Sequence, residues 1–459
     1  MAVAAAVAAR GAAVPDAERA GVDHTDARAT NTRYLDETHP VSGIRRTQLA
    51  SGLRVVTEAL PELRSVTLGA WVGSGARDEQ GAEWGASHFL EHLLFKGTER
   101  RSAREIAEAI ESVGGEMNAF TTHEHTVFYV RVPDVQLRSA LDVLADVLWR
   151  PAFRADDVEA ERRVILEELG MRDDTPDDLV HDLFANGLFP DHPLGREVLG
   201  SEASITEMAR TDIADYHRAH YRPSNVVFAA AGNLSHETVL ELVDEHFPND
   251  TGVRPERPRS NPPAPERTVV MNRDTEQAHL VVGVRALPAL DPDRYALTLI
   301  DQVLGGGMSS RLFQEIRESR GLAYSVFSYH ATFDDAGYLA IYAGTAPERV
   351  PETLAVIGAE LDRLVHKGLS DAELAAAKGH LSGALSMSLE TSASRMRRLG
   401  RAELVEGEIP SVDELVARIN AVTAADVARV VERVFADAPR TLAVVGPHAK
   451  SEFDAWPDA

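Results

Sequence analysis

Cysteine is absent from this sequence. Its absence excludes disulfides, iron–sulfur clusters, thiolate metal sites and a cysteine nucleophile together. Lysine is scarce: Lys96, Lys367, Lys378 and Lys450 are the whole complement, so the basic residues are nearly all arginine. Together with the many alanines, that bias fits a GC-rich genome better than a chemical role. No apolar run reaches the ~18–20 residues that cross a bilayer. The opening MAVAAAVAARGAAVPDAERAG has a short Ala/Val stretch but no positive leader and no Leu/Phe-rich run, so no signal peptide is expected. Asp16, Glu18, Asp23 and Asp26 argue against an organellar transit peptide. The closing AWPDA carries no anchor or address signal. The expectation is a cytoplasmic protein without a membrane partner.

What is present is ordinary globular material: 44% apolar and 26% charged residues over 459 positions. That length exceeds one ordinary core, so two or more are expected. The formal net charge is −25. Such a surface repels nucleic-acid phosphates and anionic lipid, and suits basic or unfolded peptides, or serves solubility alone.

Patterning divides the chain. Residues 1–42 read as a disordered N-terminal tail. Strand patterns at GLRVVTEAL and SVTLGAWV are followed by helix patterns across Trp84–Phe95 and Ala103–Val113, the latter stopped at Gly114–Gly115. EMNAFTTHEHTVFYVRV reads as paired strands turning near His123–Glu124, and long helices are expected over Val135–Trp149 and Ala155–Arg172. A helix near Asp212–Tyr221 leads into the strand NVVFAAAG. The segment PERPRSNPPAPER, 255–267, is a proline-rich linker. It separates an α+β half over 43–254 from a second over 268–450, with a tail at 451–459.

The halves look like a degenerate repeat. Asp212, Ile213, Tyr221 and Gly232 match Asp426, Val427, Phe435 and Gly446 at an offset of 214. Leu94, Gly97, Glu105 and Ile106 match Leu304, Gly307, Glu315 and Ile316 at 210. The expected fold class is α+β: two homologous halves, each a largely antiparallel sheet with helices packed on one face.

The chemistry concentrates at Ser87-His88-Phe89-Leu90-Glu91-His92-Leu93-Leu94-Phe95, an H-x-x-E-H pattern on a helix. Positions i and i+4 share a helix face, so His88 and His92 can aim at one point. Catalytic zinc needs three protein ligands and an open position. The third is expected from Glu161-Arg-Arg-Val-Ile-Leu-Glu167-Glu168, where Glu161 and Glu168 lie two turns apart on nearly one face, beside a buried stripe of Val164, Ile165 and Leu169. Glu168 is assigned as ligand and Glu161 as its support; Glu167 points about 100° away. Glu91 can reach a metal-activated water as general base without binding the ion. At the 210 offset, His88, Glu91 and His92 fall on Thr298, Asp301 and Gln302, so the second half keeps the scaffold and loses the ligands.

HFLEHLLFKGT (88–98) and ERRVILEEL (161–169) together resemble the pitrilysin-type inverzincin peptidases, which include insulin-degrading enzyme and mitochondrial processing peptidase. The likeness covers nearly the whole chain after residue 45, and the nearest branch resembles bacterial homologues of the processing peptidase catalytic subunit. It implies a clamshell of two halves, one Zn²⁺ per chain and endopeptidase activity on extended or unfolded peptides. It also implies roles outside the motif. NAFTTHEHTVFY (118–129) is similar to the edge strand that binds substrate, placing Asn118, Ala119 and Phe120 on the peptide. GGGMSSRLFQEIRESRGLAYSV (305–326) is similar to the glycine-rich loop, Gly305, Gly306 and Gly307, and to the substrate-binding pair Arg317 and Tyr324, with Tyr324 a plausible oxyanion donor. Because one chain carries both the zinc motif and this loop, a homodimer or a self-contained chamber is expected.

His123 and His125 flank Glu124 in a metal-like pattern, but at the expected turn, and are read as surface residues. His181, His192, His217 and His220 lack an acidic ligand set. The rival functional reading is a non-catalytic or hetero-partner-dependent subunit of the same fold, acting in peptide binding or complex assembly.

Overall fold

Strand period and helix period alternate along the chain, and each sheet is built from both halves of its own repeat. The structure, a computed structural model, describes residues 35–38, 43–257 and 259–456. Among the described residues, twelve strands form two sheets. The first contains β1 (Leu35–Thr38), β2 (Ile44–Gln48), β3 (Arg54–Ala59), β4 (Ser65–Val72), β5 (Glu116–Thr121), β6 (Thr126–Pro133) and β7 (Val226–Gly232), in the order β1-β2-β3-β7-β4-β6-β5. The second contains β8 (Thr268–Asn272), β9 (Ala278–Ala286), β10 (Ala323–Thr332), β11 (Gly337–Thr345) and β12 (Thr441–Gly446), in the order β10-β11-β9-β12-β8. Read from the opposite end, β8-β12-β9-β11-β10 repeats β3-β7-β4-β6-β5 strand for strand. In each sheet one pair is parallel, β3 with β7 and β8 with β12, and the others are antiparallel.

The helices of the first half are α1 (Ala86–Leu93), α2 (Ala103–Glu111), α3 (Leu137–Trp149), α4 (Ala155–Asp173), α5 (Pro176–Leu188), α6 (Glu202–Glu207), α7 (Arg210–His220) and α8 (His236–His246). Those of the second are α9 (Arg294–Gly305), α10 (Val350–Lys367), α11 (Asp371–Ser388), α12 (Ser392–Arg401), α13 (Val412–Ala421) and α14 (Ala424–Val434). Several start at capping boxes, Ser102 with Glu105, Ser370 with Glu373 and Thr423 with Asp426, which satisfy the first free amides of each helix. The pair α7–β7 recurs as α14–β12 at the offset of 214 read in the sequence, and α1 recurs as α9 at 210.

Strand alternation sorts the cores. In β7, Val226, Phe228 and Ala230 face one core with α1, α3, α7 and α8, while Val227, Ala229 and Ala231 face another. That second face is covered by α12, through Met396 and Leu399. Reciprocally, α5 covers the outer face of the second sheet: Leu179, Val180, Phe184 and Leu188 pack on Val281, Ala443 and Val445. The helices of each half thus cover one face of its sheet, as expected, and a single helix lent by the other half covers the opposite face. The seats are tight. A Cβ on Gly400 of α12 would lie 2.0 Å from Trp71 Nε1, and the Trp71 indole N–H instead donates to Met396 Sδ at 3.4 Å.

Below α12, the turn Ala402–Glu406 carries Glu403, fully buried, which accepts from Arg46 Nε (2.8 Å) and Nη2 (3.0 Å) and from Arg54 Nη1 (3.3 Å). A second tie between halves is polar. Buried Arg77 bonds Glu124 at the β5–β6 turn (2.6 Å) and Asp335 at the β10–β11 turn (2.6 Å), and the Asp334 amide donates to Glu124.

Three expectations need correction. Residues 35–38 of the proposed tail pair with β2; 1–34 and 39–42 lie outside the described residues. The tail expected at 451–459 is packed in its first part, where a short turn at Lys450–Phe453 buries Phe453 and Trp456 leans on the second core; 457–459 are not described. His123 and His125 are half-buried rather than superficial. The β5–β6 turn is wedged between the halves, so His123 bonds Arg196 O (3.1 Å) and abuts Phe333, while His125 packs on Trp71.

Candidate metal centre

Helix α1 begins at Gly85, whose φ of 95° is left-handed and costs little only for glycine. The buried Glu79 carboxylate caps it, accepting from the Gly85 amide (2.7 Å) and the Ser87 amide (2.8 Å). Burial raises the Glu79 pKa to about 8 against the pull of these two amide bonds, so the cap acts through its acceptor oxygens, which satisfy free amides of the first turn. Phe89, Leu90, Leu93 and Leu94 are buried, which fixes the roll of α1 and turns His88, Glu91 and His92 to the other side.

Helix α4 crosses α1 with Val158, Glu161, Ile165 and Leu169 buried. Val164, expected in that stripe, is 40% exposed. At 100° per residue it falls roughly 100° from Ile165, on the outer flank. Arg162 pins the crossing by donating to Met208 O (2.9 Å) and lying over the Phe89 ring.

This packing brings His88, His92 and Glu168 together, with one ligand atom of each inside 4.8 Å of the others. Glu168 Oε2 lies 3.7 Å from His88 Nε2 and 3.6 Å from His92 Nε2. A tetrahedral zinc with bonds of about 2.0–2.1 Å holds its ligand atoms ~3.3 Å apart, so the Glu168 oxygen lies within a few tenths of an ångström of that spacing from each imidazole. Burial, then the neighbouring His92, pulls the His88 pKa down to about 4, which keeps the imidazole neutral and its lone pair available near pH 7. The donor set, two imidazoles and a carboxylate with a side left open, is that of a hydrolytic zinc site.

Two groups support the trio. Glu161, buried, lies with Oε2 3.2 Å from His92 Nδ1, and its Oε1 meets Lys96 Nζ at 2.7 Å. That contact fixes the tautomer in which His92 Nε2 faces the metal position. Glu91 accepts from Thr121 Oγ1 at 2.7 Å, at the end of β5. Burial raises its pKa above the ordinary carboxylate value, against the pull of Thr121 and His92. Glu167 is exposed on α4 and takes no part.

The other expected residues lie elsewhere. Asn118, Ala119 and Phe120 are on β5, the edge strand, paired only with β6; Asn118 is exposed and Ala119 buried. Arg317 sits in a π-helical turn, Phe313–Glu318, with its guanidinium over the Tyr324 ring (4.7 Å). Tyr324 is 78% exposed. Among the described residues, no hydrogen bond or ion pair joins Arg317 or Tyr324 to the histidine pair. Gly305 is buried in α9, where a Cβ would lie 2.1 Å from Ser328 N, so its first duty is close packing on β10; Gly306 and Gly307 are exposed. Glu79, Lys96 and Thr121 were missed by sequence reasoning. Thr121 and Lys96 leave traces there, as the strand residue two positions past Ala119 and as the residue four past His92.

Comparison with known proteins places the chain in a family. Residues 54–202 match the family model described as Insulinase (Peptidase family M16), and residues 207–381 match Peptidase M16 inactive domain. An uncharacterized zinc protease of Streptomyces coelicolor is 45% identical over 419 residues, covering 89% of this chain and 91% of its own. One from Mycobacterium tuberculosis is 46% identical over 409 residues, covering 88% and 93%. Among solved structures, a protease from Helicobacter pylori superposes with a TM-score of 0.81 at 24% identity, covering 88% of this chain and 99% of that one, a likeness of fold. The chain belongs to peptidase family M16, the insulinase family of metallopeptidases, and its two halves have the clamshell fold of that family. The loss of His88, Glu91 and His92 equivalents at Thr298, Asp301 and Gln302 accords with the name of the second matched domain.

Proposed function

We propose that this chain is a zinc-dependent endopeptidase that hydrolyses extended or unfolded peptides, with one Zn²⁺ held by His88, His92 and Glu168. The observation that carries the reading is the convergence of two Nε2 atoms from α1 and one carboxylate from α4, with Glu91 beside them. Zinc bound there supplies a Lewis acid that acidifies water and polarises the scissile carbonyl. Glu91 takes the proton of the attacking water and returns it to the leaving amine nitrogen. Thr121 holds the Glu91 carboxylate in place, and its raised pKa suits an exchange of protons near neutrality. Glu161 supports His92 rather than touching substrate.

The peptide lies as an added strand on the free edge of β5, using backbone groups around Asn118, Ala119 and Phe120. Backbone pairing selects extended chains and leaves sequence preference loose. Tyr324 and Arg317 serve as donors to substrate carbonyl oxygen, and Gly306 and Gly307 as further substrate contacts. The exposure of Tyr324 favours a homodimer in which the pair of one copy serves the metal centre of the other.

Metal analysis and peptide hydrolysis on wild type and Glu91→Gln test the reading. The variant should keep stoichiometric zinc and lose turnover by about 10²–10⁴-fold. Turnover equal to wild type would remove Glu91 from its role, and a wild-type chain without zinc would remove the metal centre. Mixing Glu91→Gln with Tyr324→Phe chains should restore part of the activity if the site is shared between copies.

A further inference from the structure

Beside the position that corresponds to the metal centre, the second half holds a cavity of about 540 Å³ between α9, β10, α11 and α12. At the 210 offset Thr298 occupies the place of His88 and Asp301 that of Glu91, and Thr298 lines this cavity. Where Glu91 is tied to Thr121 at the end of β5, Asp301 is tied to β10: it accepts from Ser328 Oγ (2.5 Å) and sits 2.7 Å from His330 Nδ1. The position keeps its place in the fold and has exchanged its chemistry.

The new chemistry is cationic. Four arginines line the cavity, Arg294, Arg397, Arg398 and Arg401, against a single carboxylate, Glu406. The excess runs against the net charge of −25 of the whole chain. Arg401 bonds Glu406 (3.1 Å), and Arg398 donates to Pro410 O. Arg397 and Arg294 are differently placed. Arg397 lies over the Tyr129 ring (5.0 Å) and donates to its hydroxyl (3.2 Å). Arg294 lies over the Tyr295 ring (4.6 Å), donates to Asp291 O (3.2 Å) and to the Tyr295 hydroxyl (3.3 Å), and feels the Glu408 carboxylate at longer range. Among the described residues neither has a carboxylate within ion-pair distance. Stacking on an aromatic face fixes a guanidinium's plane and leaves N–H groups free to bind an oxyanion in a fork. Leucines complete the wall. A heavily hydrated inorganic ion has no use for that apolar lining; an organic acid on a chain has. The volume is that of a site for a ligand of several residues at most.

We propose that this cavity binds a carboxylate carried by a peptide, as a C-terminus or an Asp or Glu side chain, with Arg294 and Arg397 as its principal donors. The inference concerns binding and stands apart from turnover, though a peptide ligand rests on the peptidase reading.

Four dansylated hexapeptides of otherwise neutral sequence form the test, ending in two Asp or two Asn, each with a free or amidated C-terminus. Their binding is measured by fluorescence anisotropy on zinc-loaded Glu91→Gln protein, which need not turn over. The peptides bearing carboxylate should bind at least about tenfold more tightly than the neutral amide, an advantage that fades with added salt. Comparing the free-acid Asn peptide with the amidated Asp peptide tells terminus from side chain, and either preference supports the site. The double variant Arg294→Gln/Arg397→Gln should abolish the preference while the zinc content stays at wild type. Glu406→Gln, which removes the opposing carboxylate, should strengthen it, and gives a gain of binding should the double variant fold poorly. Equal affinity for all four peptides, or a preference that survives both arginine changes, overturns the proposal. So does a site that takes inorganic phosphate and ignores the peptides. None of these results bears on hydrolysis, which is read separately with wild-type enzyme on a neutral substrate.

Discussion

Glu161 offers the sharpest probe of how the metal centre is held. Its carboxylate is buried and shared between His92 Nδ1, at 3.2 Å, and Lys96 Nζ, at 2.7 Å. Replacing Glu161 by Gln keeps the shape and an acceptor oxygen but removes the charge that makes His92 a stronger ligand. Loss of such an outer contact costs 10–100-fold in metal affinity, or about 1.4–2.8 kcal/mol. The 3.2 Å separation is at the long end for an N–H···O bond, so Glu161→Gln belongs near the tenfold limit. Glu161→Ala also frees the His92 ring to turn and opens a space at the α1–α4 crossing, which places it near the hundredfold limit. Zinc competition against a chromophoric chelator measures both. Turnover at saturating zinc should recover in Glu161→Gln, since Glu91 and its bond to Thr121 are untouched. Equal zinc dissociation constants for wild type and both variants would refute the orienting role. A Glu161→Gln enzyme that binds zinc normally yet is inactive at saturation would place Glu161 in the proton path instead.

Three further outcomes follow from packing and charge. Glu403→Ala removes the buried carboxylate shared by Arg46 and Arg54, and should lower the unfolding free energy by about 3 kcal/mol in urea titration; an unchanged midpoint would show the pair to be idle. Gly400→Leu has no space beside Trp71 and should destabilise by at least about 2 kcal/mol, whereas Gly379→Ala, in open space on α11, should stabilise by up to ~1 kcal/mol. Acidification is the third. His217, hydrogen-bonded to Leu148 O, and His125 have pKa values lowered chiefly by burial from 6.5 to about 4. Their protonation favours the unfolded chain, so stability is full above about pH 6.5 and falls as pH drops toward 4, by at most about 3 kcal/mol for each. Equal denaturant midpoints at pH 7 and pH 4.5 would contradict this.

Much of the metal centre was legible in the sequence because its parts obey local rules. His88 and His92 share a face by helix period, and Glu161 and Glu168 do so two turns apart. The turn between β5 and β6, and the offsets of 210 and 214, came from pattern alone. What escaped depends on contacts between distant segments. Nothing in the sequence around Ser392–Arg401 says that this helix roofs the sheet of the other half, because amphipathic period gives a buried side but not its partner. Glu79 is invisible for another reason: it binds backbone amides, which have no sequence signature. His123 and His125 were misplaced because a turn is exposed by default, and here a second hairpin closes over it. Phe453 was misassigned because the last residues of a chain are tied down only by tertiary contacts.

The trade of α5 for α12 has a consequence for anyone wishing to separate the two repeats. Severing the polypeptide in the stretch 255–267 would give two fragments, each with a bare oily sheet face and a homeless helix. Neither should stay in solution by itself. Expressed together they hold complementary surfaces and should knit back into one particle, as a split protein reassembles. The duplicated architecture is therefore no longer two modules side by side but a mutual clasp, in which neither copy can be deleted or replaced without undoing the other.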